Sequence, residues 1–166
     1  SALSDHVAIV GWLDVKLVPD RYESWCYAIR SSGAVVWRRT ASSFEEDAST
    51  SPNDRVRAFR YALSGMESSF RDVSRTSRSL WRERIEPLLP ALDGVRELIV
   101  IPSGAMLGVP VESLTNDYGL TLADLYSVSY APSVTIHTWL AERGRLIEVS
   151  RMLLVGDPAY CQAHAA

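Results

Sequence analysis

Two cysteines could supply a nucleophile, and their surroundings differ. Cys26 stands between Trp25 and Tyr27 in an apolar, aromatic run, where a cysteine behaves as a small buried hydrophobe. Cys161 has His164 three residues on, the minimal pairing in which an imidazole draws the proton from a thiol. That pair falls in the polar stretch Tyr160-Cys161-Gln162-Ala163-His164-Ala165-Ala166, which offers no strand end or helix to hold a dyad as tightly as catalysis requires. Ser103 follows an apolar run in Pro102-Ser103-Gly104 and reads as a turn-capping serine ahead of a nucleophile. Asp157, in Gly156-Asp157-Pro158, comes where a strand should end, the place at which open α/β sheets seat ligands. It is the one candidate cleft residue, for a substrate cation or a metal, although the same triplet is ordinary turn chemistry. No residue is assigned as catalytic, cofactor-binding or metal-binding. His6, His137 and His164 lack a second ligand at metal spacing. The glycine motifs that cradle phosphates or dinucleotides, the nucleophile elbow, HExxH and CxxC are all missing from the sequence.

Charge and composition narrow the class further. The 166 residues are 47% hydrophobic and 22% charged with a net charge of −3, as expected of one packed domain without a general attraction to nucleic acid. Residues 51–86 carry eight arginines, with Trp81 among them, against Asp54, Glu67, Asp72, Glu83 and Glu86. Interleaving of this kind reads as a solvated helix face laced with ion pairs, and a protein partner fits it better than phosphates do. No apolar stretch of about 18 residues suggests a membrane partner. The start of the sequence lacks the pattern of a secretory signal, and two cysteines suit a reduced, cytoplasmic setting.

The elements that must position these residues follow from periodicity. Val7–Leu17, Ser24–Arg30 and Ala34–Arg39 read as strands of an antiparallel meander, with turn chemistry at Pro19-Asp20-Arg21 and Ser31-Ser32-Gly33. Trp25 and Tyr27 share one strand face, as do Val35 and Trp37, and core or sheet-edge packing is expected for them. Ser51-Pro52-Asn53-Asp54 is a helix start, and Val56, Phe59, Leu63, Met66, Phe70 and Val73 form a single stripe behind it. Thr76–Ser79 is expected to interrupt that helix. A second helix should run from Leu80 until Pro87 and Pro90 end it, giving a helical hairpin. Glu97–Ile101 is a continuous apolar run of buried-strand type, followed by a strand near Tyr126–Tyr130, a helix from Pro132-Ser133 to Arg143-Gly144, and a strand at Arg151–Val155. Alternating strands and helices imply a largely parallel sheet in this part. The chain thus divides into a β meander (1–43), a helical hairpin (51–93) and an α/β segment (95–158) of one domain spanning 1–166.

Three motifs in order resemble a known family. Leu98-Ile99-Val100-Ile101-Pro102-Ser103-Gly104-Ala105-Met106-Leu107-Gly108-Val109-Pro110-Val111-Glu112-Ser113-Leu114 resembles the strand and P-x-G-x-L-x-x-x-P-x-x-x-L signature of CHAT domains. Tyr130-Ala131-Pro132-Ser133-Val134 is similar to the family's Y-x-P-S helix start, and Leu153-Leu154-Val155-Gly156-Asp157-Pro158 to the strand opening its catalytic half. CHAT domains are bacterial caspase-like cysteine peptidases, related in fold to separases and caspases and often joined to tetratricopeptide repeats. The resemblance implies an α/β fold: antiparallel strands and a helical hairpin, then the strands and helices of a partial caspase-like sheet. It implies a His–Cys dyad without cofactor, the His in an H-G-like turn and the Cys after a later strand. Both would follow Gly156-Asp157-Pro158, and no residue here matches either motif; Cys161 and His164 come in the wrong order. The expectation is therefore the N-terminal, non-catalytic scaffold or regulatory portion of such a peptidase. Its expected partners are protein or peptide: the rest of the peptidase domain and possible tetratricopeptide repeats. The alternative is a protein-interaction module with no peptidase role, working through the arginine-rich hairpin or the tryptophan-bearing sheet.

Overall fold

Alternation along the first strand sets up the whole sheet. In the computed structural model, which describes residues 3–18, 21–40, 52–64 and 70–144, β1 (Val7–Val18) turns Ala8, Val10 and Trp12 to one face and Val7, Ile9 and Leu13 to the other. It pairs antiparallel with β2 (Arg21–Ile29), Trp12 opposite Cys26, and β2 pairs antiparallel with β3 (Val36–Arg39), Tyr27 opposite Trp37. The other edge of β1 pairs in parallel with β4 (Glu97–Ile101), Val10 opposite Val100, and β4 in parallel with β5 (Ser127–Tyr130). The meander and the α/β segment are therefore one mixed sheet of order β3-β2-β1-β4-β5. The fold class is mixed α/β, as the sequence implies. The expected loop at 44–51 and strand at 151–155 lie outside the described residues.

One sheet face is covered by the helical hairpin, α1 (Pro52–Ser64) and α2 (Phe70–Arg84). Phe59, Leu80, Trp81, Ile85 and Leu88 pack there against Trp12, Cys26, Leu98 and Val100. The helix break differs from expectation: Thr76–Ser79 lies inside α2. Thr76 Oγ1 donates to the Asp72 carbonyl at 2.8 Å, and Ser77 Oγ accepts the Thr115 N–H at 2.8 Å. Hydroxyls that find such partners do not end a helix. The expected stripe also shifts. Ala62 is buried where Leu63 is exposed, and Phe70 is 87% exposed. Pro87 and Pro90 do end the helix, in a 3₁₀ turn over Glu86–Ala91.

The opposite face carries a smaller cluster, Ile9, Ile99, Ile101 and Ala131, partly covered by Val134 of the later helix Val134–Gly144. Trp25 and Tyr27 of β2 share this face beside the edge strand β3, outside the main core. Tyr27 packs on Trp37 with ring centroids 5.0 Å apart, and Trp37 stays 45% exposed. The tryptophans of the core are Trp12 and Trp81. Among the described residues, no helix is long and apolar enough to cross a membrane.

Candidate functional site

The parallel strands β4 and β5 end side by side, with Val100 opposite Tyr130. The chain leaves β4 through Pro102-Ser103-Gly104 and folds two 3₁₀ turns, Gly104–Met106 and Val111–Ser113. Gly104 and Gly108 adopt φ of 53° and 72°, the left-handed region that costs a side-chain-bearing residue most. Ser103 does not cap its turn. Its hydroxyl donates to the Trp12 carbonyl and ties the loop to β1. Ala105, Met106, Val109, Val111 and Leu114 of the segment enter the main core, whereas Leu107 is exposed.

Tyr130 joins this loop to β5. Its hydroxyl accepts the Val111 N–H at 2.8 Å and donates to Glu112 Oε2. Two sequence motifs 18 residues apart thus meet at one hydrogen-bonded junction. A groove of about 520 Å³ opens beside it, lined by Pro102, Gly108, Val109, Pro110, Glu112 and Tyr130, within the size range of small-ligand sites. Ser133 begins the next helix by accepting the Ile136 N–H on its Oγ at 3.1 Å. Burial, and then the bond to the Glu112 carboxylate, push the Tyr130 phenol up to about 12.

A phenol whose pKa is raised on folding holds its proton where the unfolded chain has lost it. The stability this provides is intact below the ordinary value of 10.0 and is lost as pH rises towards about 12. Burial raises Tyr27 and Tyr126 in the same direction. Urea unfolding at about pH 9 and about pH 11 should show the loss, and Tyr130→Phe should make it shallower without removing it.

Beneath the loop, on the hairpin side, lies a buried charge network. Arg84 is 0% exposed, and its Nη1 donates to Asp14 Oδ1 at 2.7 Å. Its Nη2 lies 3.0 Å from Glu83 Oε1, close enough for attraction although misaligned for a hydrogen bond. Ser24 Oγ donates to Asp14 at 2.6 Å, and Arg55 pairs with Glu83 at 3.1 Å. Asp14 Oδ2 stands 3.3 Å from the point a Cβ on Gly104 would occupy. The network is thus in contact with the turn that leaves β4. The outer surface of the hairpin bears the expected ion pairs, Arg57 with Asp54 and Arg75 with Asp72, and Arg82 pairs with Asp117.

The nucleophile candidates separate cleanly. Cys26 is buried, its thiol donates to the Arg38 carbonyl at 3.5 Å, and burial pushes its pKa up to about 11. It is a core residue, since a reactive cysteine needs a thiolate. Cys161, His164 and Asp157 lie outside the described residues. His6 approaches the Gly94 carbonyl at 3.2 Å, far in sequence from either cysteine. The sequence missed Arg84, Asp14 and the Glu112–Tyr130 junction. A signal for the first was present, because Arg84 falls on the same helix stripe as Ser77, Leu80 and Trp81.

Comparison with known proteins adds one positive result. A family model described as CHAT domain matches residues 74–165, more than half of the chain, beginning within α2. No curated protein and no solved structure matches.

Proposed function

We propose, for a chain that belongs to the CHAT domain family and hence to the caspase-like cysteine peptidases, that these residues are the non-catalytic scaffold of the peptidase. In this reading the hairpin, β1 and β4 fix the loop after β4, and the ends of β4 and β5 form one wall of the substrate cleft. The observation that carries it is the junction at Tyr130, where the two signature motifs hold each other at the carboxyl ends of parallel strands, the edge at which α/β sheets bind ligands. The one described cysteine, Cys26, is buried in the main core with its thiol protonated. The attacking thiolate and its histidine would come from polypeptide outside these 166 residues, meeting a peptide carbonyl beside this wall.

The test is a peptidase assay of the 166-residue chain on broad peptide libraries. Turnover should be absent. Robust turnover abolished by Cys161→Ala would overturn the reading.

A further inference from the structure

The groove beside Tyr130 has one formal charge and otherwise apolar walls, and that combination selects a ligand. Pro102, Val109, Pro110 and the Tyr130 ring supply the walls, and Glu112 supplies the charge. The phenol is protonated throughout the neutral range and donates to Glu112 Oε2, so the carboxylate is held in one orientation there. Among the described residues Oε1 receives no hydrogen bond, and a carboxylate oxygen is an acceptor for a guanidinium. Arg60 of α1 has its guanidinium over Gly108. A cationic ligand therefore seats its charge at Glu112, away from Gly108.

We propose that this groove binds a basic side chain, arginine before lysine, of an extended peptide. An arginine stem is three methylenes that lie against prolines and valine while the charged head reaches past them. The guanidinium donates to the open side of the carboxylate as a charge-assisted hydrogen bond. The Tyr130 ring is partly exposed in the same groove, and an aromatic ring beside a carboxylate suits a planar guanidinium better than an ammonium. The inference deepens the cleft reading above and rests on it for the peptide nature of the ligand. Its test is binding without turnover, so the two can fail separately.

The experiment titrates the 166-residue chain with acetyl-Gly-Arg-Gly-amide and with the citrulline analogue, a neutral isostere, following backbone amide shifts. The arginine peptide should shift Glu112, Val111 and Tyr130 and bind about tenfold or more tightly than the citrulline peptide, the value of one charge-assisted contact. Glu112→Gln keeps an acceptor for the phenol and removes the charge. It should bring the arginine peptide down to the citrulline level with the amide spectrum otherwise unchanged. Equal binding of the two peptides by the unaltered protein would overturn the proposal without reference to any variant. So would tight arginine binding that survives Glu112→Gln, or shifts confined to the Arg60 side of the loop. A peptidase activity appearing in the 166-residue chain would overturn the scaffold reading and leave this site standing.

Discussion

Arg84→Met is expected to remove about 3–5 kcal/mol of folding free energy, because it breaks a buried ion pair and leaves one partner behind. The side chain is 0% exposed and Asp14 only 10%. After the substitution Asp14 keeps a single donor, the Ser24 hydroxyl at 2.6 Å, which cannot replace a charge. Glu83, 4% exposed, keeps Arg55 at 3.1 Å and suffers less. Total stabilities of single domains are about 5–15 kcal/mol, so the variant should sit close to its unfolding transition. The double variant Asp14→Leu with Arg84→Met removes both charges and should recover most of the loss, since replacing a whole buried pair with apolar residues is often neutral or better. Urea denaturation of the three proteins measures this directly. If the single and double variants were equally unstable, the loss would belong to packing around Arg84 and not to the orphaned carboxylate. Amide exchange should also rise at Ala105 and Met106, because Asp14 lies against the Gly104 turn.

That network shows where the sequence is legible and where it stops. Glu97–Ile101 is a strand with the expected bounds because four consecutive aliphatic residues from Leu98 to Ile101, buried on both faces, suit a central strand. The prolines at 87 and 90 end a helix for a local steric reason that no tertiary contact can overrule. Thr76–Ser79 misleads for the opposite reason. Whether a hydroxyl ends a helix depends on what it can reach, and Ser77 reaches Thr115, 38 residues away. The arginine-rich hairpin conceals a similar ambiguity. Arg57, Arg75 and Arg82 are the exposed ion-pairing residues that their spacing implies, yet Arg84 in the same run is the most buried cation of the core. Only its position on the apolar stripe distinguishes it. For the aromatic residues the sequence leaves core and sheet edge open, and the hairpin decides it by covering the other face of the strands that carry Trp25 and Trp37. The union of meander and parallel strands through β1 could not be read from either segment alone, since pairing between residues 7–11 and 97–101 leaves no mark in local periodicity.

The Tyr130 junction joins two motifs that are separate along the chain, and residues of the first have distinct physical tasks. Gly104 and Gly108 supply backbone conformations, Met106, Val111 and Leu114 supply packing, and Glu112 alone faces the groove with charge. Stability and recognition should therefore be separable along one loop. Leu114→Ala is the second large effect. Leu114 is 0% exposed, its N–H donates to the Val111 carbonyl at 3.1 Å and its own carbonyl accepts the Leu122 N–H at 2.9 Å. It anchors the half-turn that carries Glu112 to the element before β5. Truncating it leaves a cavity where the loop meets the core and should cost about 2–5 kcal/mol. Met106→Leu, a volume-conserving change in the same core, should cost less than about 1.5 kcal/mol. Thermal unfolding would rank the variants: Leu114→Ala far below the unaltered protein, Met106→Leu near it, and Glu112→Gln near it as well, because that carboxylate is only half-buried and its phenol partner retains an acceptor. Peptide affinity should follow a different order, with Glu112→Gln losing it while fully folded and Met106→Leu keeping it. A Leu114→Ala protein as stable as the unaltered one would mean that the loop does not depend on this anchor, and the separation of packing from recognition would fail with it.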